Sequence, residues 1–368
     1  MRTIVHITSA HPRFDVRIFF KHCKSFECMG FNTHLLVADG KGEEQVGKIL
    51  IHDVGKPINR VERVLKIPNR MLKKAIELDA DIYILHDPEL LQIALKLKNL
   101  KRKVVFDSHE NYSKQILGKQ YINKFIRFIL SYIFSIYERF VSKRIDAVIA
   151  ATPSIRDYFL SFGIKSLDIN NYPLLSEIDL NASSNWDNKS NEVCYIGGIA
   201  SSRGIIELVD SLSLTSAEVK LNLCGEFSES STQLCCQKKT GWNRVNYFGL
   251  LSRKELFPLI NQSIAGIVTF HPSPNHLDSQ PNKMFEYMAN GMPIIASNFP
   301  LWERIIKENK CGLIVDPLSS LDIAKAIDFL VANREIAKQM GTNGKHAIIE
   351  KYNWDVEEKK LINFIEQI

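Results

Sequence analysis

The sequence predicts an α/β protein of two doubly wound domains. Short apolar runs rich in Val and Ile alternate with helical stretches along nearly all of its 368 residues, as in parallel sheets covered by helices. Two such series exist, one opening at Thr3 and one at Glu192, with an Asn-, Ser- and Asp-rich stretch between them. That change of texture marks a boundary, and a chain of this length suits two cores better than one. The expected division is 1–172, a linker at 173–191, and 192–352, followed by a last helix at 353–368.

Composition narrows the class. Charged residues make up 24% and hydrophobic residues 45%, ordinary for a globular chain. A net charge of +6 suits an anionic ligand or membrane surface without requiring nucleic acid, and no nucleic-acid partner is expected. Seven scattered cysteines with no Cys-x-x-Cys point to a reducing compartment, here the cytoplasm, and to no zinc motif. The first residues fit a strand rather than a signal peptide, and no run of eighteen apolar residues exists.

In the first series, Thr3–Thr8 is a strand, Val16–Met29 a helix stopped by Gly30, and Phe31–Ala38 a strand. The first turn lacks the Gly-x-Gly-x-x-Gly of a dinucleotide fold. It carries His11, Arg13, Asp15 and Arg17 instead, a candidate substrate loop at a strand's carboxyl end. The strand Ile82–Leu85 runs into His86-Asp87-Pro88-Glu89, and Val104–Phe106 into Asp107-Ser108-His109-Glu110. Two strands ending in His plus acid at the sheet edge make a site more probable than either alone. The stretch Tyr121–Ile145 is helical, uncharged from Phe128 to Tyr137 and flanked by Lys124, Arg127, Arg139, Lys143 and Arg144. It reads either as a core helix with basic ends or as a helix lying in a membrane interface.

The second series opens on Glu192–Ile196 and the turn Gly197-Gly198-Ile199-Ala200-Ser201-Ser202-Arg203-Gly204. Such a turn lets backbone N–H groups approach a phosphate, and Arg203 adds a charged donor. Lys220–Cys224 ends at Gly225-Glu226, and Val245–Phe248 leads into Gly249-Leu250. After the strand Ile264–Phe270 comes His276 to Ser297, read as loop, helix, stop and strand. Ser279 or Gln280 is expected to cap that helix, with Pro281 in its first turn. Lys283 and Glu286 share one of its faces and point toward the sheet edge.

These residues carry a family resemblance. Asp278, seven residues, Glu286 and then Tyr-Met-Ala-Asn-Gly-Met-Pro-Ile-Ile resemble the paired acids and following residues of retaining glycosyltransferase family four. Pro281-x-Lys283-x-x-Glu286-Tyr-Met-Ala and His11-Pro-x-x-Asp15-x-Arg17-Ile resemble its branch that builds bacterial surface polysaccharides such as O-antigen and capsule. The resemblance implies a GT-B fold, two Rossmann-like domains facing a central cleft, with the last helix crossing back onto the first.

It further implies sugar transfer from a nucleotide-diphosphate donor, a UDP-sugar in the first place and a GDP-sugar as the alternative, with retention and without a metal or other cofactor. Arg203 and Lys283 would neutralise the leaving diphosphate, and Glu286 would bind ribose. Asp278, Ser279, Gln280 and Asn282 would hold the donor, with Gly197, Gly198 and Glu226, while Gly249 and Leu250 meet the base. His109 would reach the donor sugar or its phosphate. The acceptor, a polyprenyl-diphosphate-linked glycan, would meet His11, Asp15, Arg17, His86, Asp87 and Glu110 at the inner face of the membrane. The chain departs from the family at Gly198, where an Arg is usual, at Asp278, one methylene shorter than Glu, and at Pro281, where a Gly N–H is usual. A nucleotide-sugar 2-epimerase and a non-catalytic sugar-binding protein are the rival readings. A GT-A enzyme would need an Asp-x-Asp, and Asp79-Ala80-Asp81 leads into a strand instead.

Overall fold

The computed structural model describes residues 2–119, 122–178, 186 and 189–368. It falls into two compact units, Met1–Asn171 with Trp354–Ile368, and Tyr172–Asn353. The last helix, Trp354–Glu366, belongs to the first unit.

The first unit holds strands β1 (Thr3–Ile7), β2 (Asn32–Val37), β3 (Glu44–Val46), β4 (Ile49–Asp53), β5 (Ile82–Leu85), β6 (Lys103–Ser108), β7 (Ala147–Ala150) and β8 (Ser166–Asp168). They form one sheet in the order β3-β4-β2-β1-β5-β6-β7-β8. It is parallel except for the β3–β4 pair at its edge. The interior strands are buried because helices cover both faces, so their sequences are unbroken apolar runs rather than alternating ones. Chain order reverses beside β1, between β2 and β5. The carboxyl ends of β1 and β5 therefore flank the crevice where such sheets bind ligands.

The segment after β1 differs from the expected single helix. Val16–Cys23 is π-helical and only Lys24–Cys28 is α-helical. Asp15 caps it, accepting from the N–H groups of Arg17 and Ile18 at 2.8 and 2.9 Å. With i→i+5 bonding about five residues nearly complete a turn, so Arg17 and His22 both face inward and are buried.

The second unit holds β9 (Glu192–Ile196), β10 (Lys220–Cys224), β11 (Val245–Gly249), β12 (Ala265–Val268), β13 (Ile294–Ser297) and β14 (Gly312–Val315), in the order β11-β10-β9-β12-β13-β14. All neighbours are parallel, and the reversal lies between β9 and β12. The segment expected as a free linker belongs to this unit where it is described. Trp186 is buried in the core and Lys189 donates to the carbonyls of Asn261 and Ser263; Tyr172, expected at the end of the first domain, also lies in this unit, edge-on against Phe285 at 4.7 Å. A polar composition hid these anchors, because one aromatic residue is enough to pin an otherwise polar stretch. Residues 179–185 and 187–188 lie outside the described set.

The helix expected at Tyr121–Ile145 spans Lys124–Ser142; Tyr121 lies outside the described residues. Its buried face is mostly polar, although Val141 of the same helix joins the core and Tyr137 packs against it. Ser131, Glu138 and Ser142 are buried, while Phe125, Phe128 and Tyr132 are 71%, 64% and 64% exposed. Inside, the Ser131 hydroxyl donates to the Ser113 carbonyl at 2.8 Å, and Glu138 accepts from Tyr158 at 3.2 Å.

Candidate active site

In the second unit the chain leaves β9 through Gly197, at φ +102°, and Gly198. Gly225, after the adjacent β10, sits at φ +142°, and a Cβ there would lie 2.1 Å from the Gly197 carbonyl. No side chain fits, so two backbones meet at the sheet's carboxyl edge. The Tyr195 hydroxyl and the Arg203 guanidinium both donate to the Gly198 carbonyl, at 3.0 and 3.1 Å.

Lys283 enters this turn from the other side. Its Nζ lies 3.6 Å from the centre of the Tyr195 ring, and 3.7 Å from where a Cβ on Gly197 would stand. The ammonium is buried and has no hydrogen-bond partner among the described residues. Burial, then the charge of Arg203, holds its pKa well below the usual lysine range, while Glu286 pulls the other way. A buried cation facing ring faces and glycines is incomplete without an anion.

The helix carrying Lys283 spans Asn282–Ala289 and starts one residue later than expected. Pro281 is its N-cap, and no side chain caps it. The Ser279 hydroxyl turns back to the His276 carbonyl at 2.9 Å, and the Gln280 side-chain oxygen is buried without a hydrogen-bond partner among the described residues. The Ser279 carbonyl accepts from Trp302 Nε1 at 2.7 Å and His276 Nδ1 is 3.0 Å from the His271 carbonyl oxygen, so the loop is pinned. Asp278 and Glu286 are half-buried and Asn282 is exposed. Glu226 is exposed after Gly225, and Leu250 is 76% exposed after Gly249 at φ +68°. The turns after β9, β10 and β11 thus line one edge of the sheet, with Lys283 above the first. This arrangement can hold a polyanion at Gly197–Arg203–Lys283.

The first unit has its own site. A cavity of about 590 Å³ is lined by His11, Asp87, His109 and Glu110 from three strand ends, joined by Glu89, Tyr112 and the basic Arg60, Arg63 and Lys119. Asp87 accepts from the Thr8 hydroxyl at 2.8 Å, the Ser9 N–H at 2.6 Å and His11 Nδ1 at 3.0 Å. Burial alone would raise Asp87, but these donors hold its carboxyl well below the ordinary range. Burial would lower His11, and the Asp87 contact outweighs it and raises it.

Behind the cavity, Asp107 is fully buried and takes both oxygens' worth of Arg17, at 3.0 and 2.7 Å, with His86 and His109 each at 3.0 Å. Of the sequence-predicted residues, Arg17, His86 and Asp15 are not among those lining the cavity. Arg17 and His86 are buried beneath it on Asp107, and Asp15 caps the π-helical segment. Sequence reasoning named Asp107 and Glu89 within the two strand-end motifs without giving them a role, and passed over Arg60, Arg63 and Lys119. The Asp107-x-His109 spacing was the available signal, since alternate residues leaving a strand share a side.

Comparison with known proteins follows this division. Residues 17–170 match the model of Glycosyltransferase Family 4, and residues 177–347 match that of Glycosyl transferases group 1. The chain belongs to glycosyltransferase family 4. Among curated proteins, a segment of 80 residues is 34% identical to the GDP-mannose-dependent alpha-(1-6)-phosphatidylinositol monomannoside mannosyltransferase of Mycobacterium tuberculosis, 22% of this chain and 21% of that one. The match thus spans about a fifth of that relative's length. An uncharacterized glycosyltransferase of Methanocaldococcus jannaschii is 21% identical over 75% of this chain and 71% of its own.

Of solved structures, sucrose-phosphate synthase from Thermosynechococcus elongatus has a TM-score of 0.79 at 16% identity, covering 100% of this chain and 99% of its own. HepE of Anabaena, in complex with UDP and glucose, has 0.75 at 13% identity, covering 100% of both. These likenesses show the fold, two Rossmann-like domains of the GT-B type. This family 4 glycosyltransferase has, among its described residues, no helix long and apolar enough to cross a membrane.

Proposed function

We propose that this glycosyltransferase moves a sugar from a nucleoside diphosphate donor, UDP-linked rather than GDP-linked, onto a growing polyprenyl-diphosphate-linked surface glycan, with retention at the anomeric carbon. The observation that carries the donor half is the buried Lys283 ammonium, which lacks a hydrogen-bond partner among the described residues, beside the Gly197–Gly198 turn and Arg203. Two phosphates supply the anion that this geometry lacks. Their charge grows as the sugar leaves, so fixed cations there lower the barrier. Glu286, one turn along the same helix, accepts from the ribose hydroxyls. Asp278 and Ser279–Asn282 hold the sugar, and Gly249 and Leu250 meet the base. No protein nucleophile is required if the acceptor attacks the face the leaving group vacates, and no metal is required where Lys283 and Arg203 carry the charge.

The acceptor half is assigned to the cavity of His11, Asp87 and Glu110, whose imidazole and carboxylates suit sugar hydroxyls and whose Arg60, Arg63 and Lys119 suit phosphate. The outward apolar face of Lys124–Ser142, with Arg127, Arg139, Lys143 and Arg144 along it and after it, supports attachment to the cytoplasmic face of an anionic membrane. HepE was solved with UDP-glucose, which favours testing UDP-sugars first. The experiment is a release assay: UDP-sugars incubated with the protein and a lipid-diphosphate saccharide, the product's linkage read by NMR. Transfer with retained configuration is expected. Conversion of the donor without acceptor sugar gained would indicate an epimerase instead.

A further inference from the structure

Three fully buried histidines meet inside the first unit, and the proposed transfer uses none of them directly. His6 lies on β1, His86 just past the end of β5, and His22 on the π-helical segment. His6 Nδ1 stands 3.0 Å from His86 Nε2, and one ring nitrogen from each of the three lies within 4.8 Å of the others. His86 turns its Nδ1 to the Asp107 carboxylate at 3.0 Å. That leaves Nε2 for the cluster, and an imidazole oriented by a carboxylate in this way is the usual state of a metal-binding histidine.

The cluster is not satisfied by its own hydrogen bonds. Both ring nitrogens of His22 and Nε2 of His6 have no hydrogen-bond partner among the described residues. Buried polar atoms are nearly always paired, and such exceptions mark a bound water or ion. The backbone adds a second indication. An α-helix through Val16–Cys23 would turn Arg17 and His22 to different faces; the π-helical turn aims both inward, and such turns recur at functional sites. The Trp354 ring stacks on His22 at 5.5 Å and is itself held by the Ser25 hydroxyl at 3.0 Å, which fixes the imidazole plane.

We propose that His6, His22 and His86 form a binding site for a late first-row transition ion, Zn²⁺ being the reference case. Three imidazoles without thiolate suit such ions, while magnesium and calcium take oxygen ligands. Zinc–nitrogen bonds of about 2.0–2.1 Å are compatible with the His6–His86 spacing and need His22 to close in slightly. Asp107, 3.9 Å from His22 Nδ1, supplies a nearby negative charge. Arg17 shares that carboxylate, so the affinity is weaker than that of a thiolate site. The ion would tie β1, β5 and the π-helical segment together behind the cavity. This inference does not rest on the proposed transfer.

The test uses the whole protein, stripped with dipicolinate and titrated with Zn²⁺ by calorimetry and with Co²⁺ by visible absorption. One equivalent of Zn²⁺, a raised melting temperature and tetrahedral Co²⁺ bands are expected. His22→Gln should weaken binding at least about tenfold and remove the bands, whereas His109→Gln, outside the triad, should leave both. Absence of stoichiometric Zn²⁺ uptake by the wild type overturns the proposal, whether or not the variants fold. So does binding that survives His22→Gln but fails in His109→Gln, which would place the ion on the other close group, His86, Asp107 and His109.

Discussion

At Lys283 stability and binding pull in opposite directions. Its ammonium is buried beside Arg203 without a hydrogen bond among the described residues, so the unliganded fold bears its desolvation. Lys283→Met keeps the length and removes the charge, and the variant is expected to melt a few degrees above the wild type while losing nucleotide affinity. A lower melting temperature would show that the lysine is already compensated. The same residue predicts a pH effect. Its pKa is depressed in the free protein, and a bound diphosphate raises it, so binding takes up protons. Affinity is then full below the free-state pKa and lost as pH rises through the bound-state value. Calorimetry of UDP binding in buffers of different ionisation enthalpy should show net proton uptake, and no buffer dependence would refute it. Glu286→Gln weakens ribose recognition by about 1.5–3 kcal/mol, the range of a charged hydrogen bond; an unchanged UDP dissociation constant would remove Glu286 from the site. Position 283 could be singled out from sequence because a lysine and a glutamate interrupt an apolar helix. That its ammonium lacks a hydrogen-bond partner among the described residues could not, because that depends on Tyr195 of β9 and Phe270, just past the end of β12, presenting their rings to it.

Among the elements, the helix Lys124–Ser142 separates what periodicity tells from what it leaves open. Its aromatic middle and basic flanks were legible, but an apolar stripe ordinarily faces the core. Here Ser131 and Glu138 take the inner face through bonds to Ser113 and Tyr158, partners that lie elsewhere in the chain. Burial pushes the Glu138 carboxyl up to about 8. A raised carboxylate pKa means the fold holds a proton that the unfolded chain releases. Stability is therefore full below the ordinary carboxylate value and falls as pH rises toward 8, by up to about 1.4 kcal/mol per pH unit. Glu138→Gln should flatten that slope and raise the melting temperature at pH 8; an unaltered pH profile would mean the acid is ionised in the fold. Replacing Phe125, Phe128 and Tyr132 by Ser should abolish sedimentation with anionic liposomes at low salt while leaving the melting temperature nearly unchanged, since these side chains are exposed. If the triple variant unfolds instead, the face is packed rather than free. The edge strands β3 and β8 escaped the sequence reading because they are short and partly solvated, and β4, paired between β3 and β2, escaped with them. The π-helical turn escaped because its residues also suit an α-helix.

Over the whole molecule, topology explains why two sites were visible before any coordinates. Each sheet reverses its strand order once near its middle, and the carboxyl ends of the strands there flank the crevice where such sheets bind ligands. His11, Asp87 and His109 in one unit and Gly197 and Gly198 in the other stood out for that reason. What stayed hidden was made by contacts between distant elements: the burial of Arg17 on Asp107, the His6–His22–His86 cluster, and the anchoring of Trp186 and Lys189 to the second unit. If Lys283 and Arg203 carry the diphosphate charge as proposed, added Mn²⁺ or Mg²⁺ should leave the transfer rate unchanged, and a rate that depends on either would assign part of that charge to a metal. The most direct test of the central claim is a calorimetric titration of UDP into the wild type and into Lys283→Met at one pH and salt. The account predicts saturable binding to the wild type and an affinity lower by about 10–100-fold in the variant, the equivalent of one charged hydrogen-bonding group. Equal affinity in the two proteins, or no binding of UDP, GDP or ADP to the wild type, would contradict it.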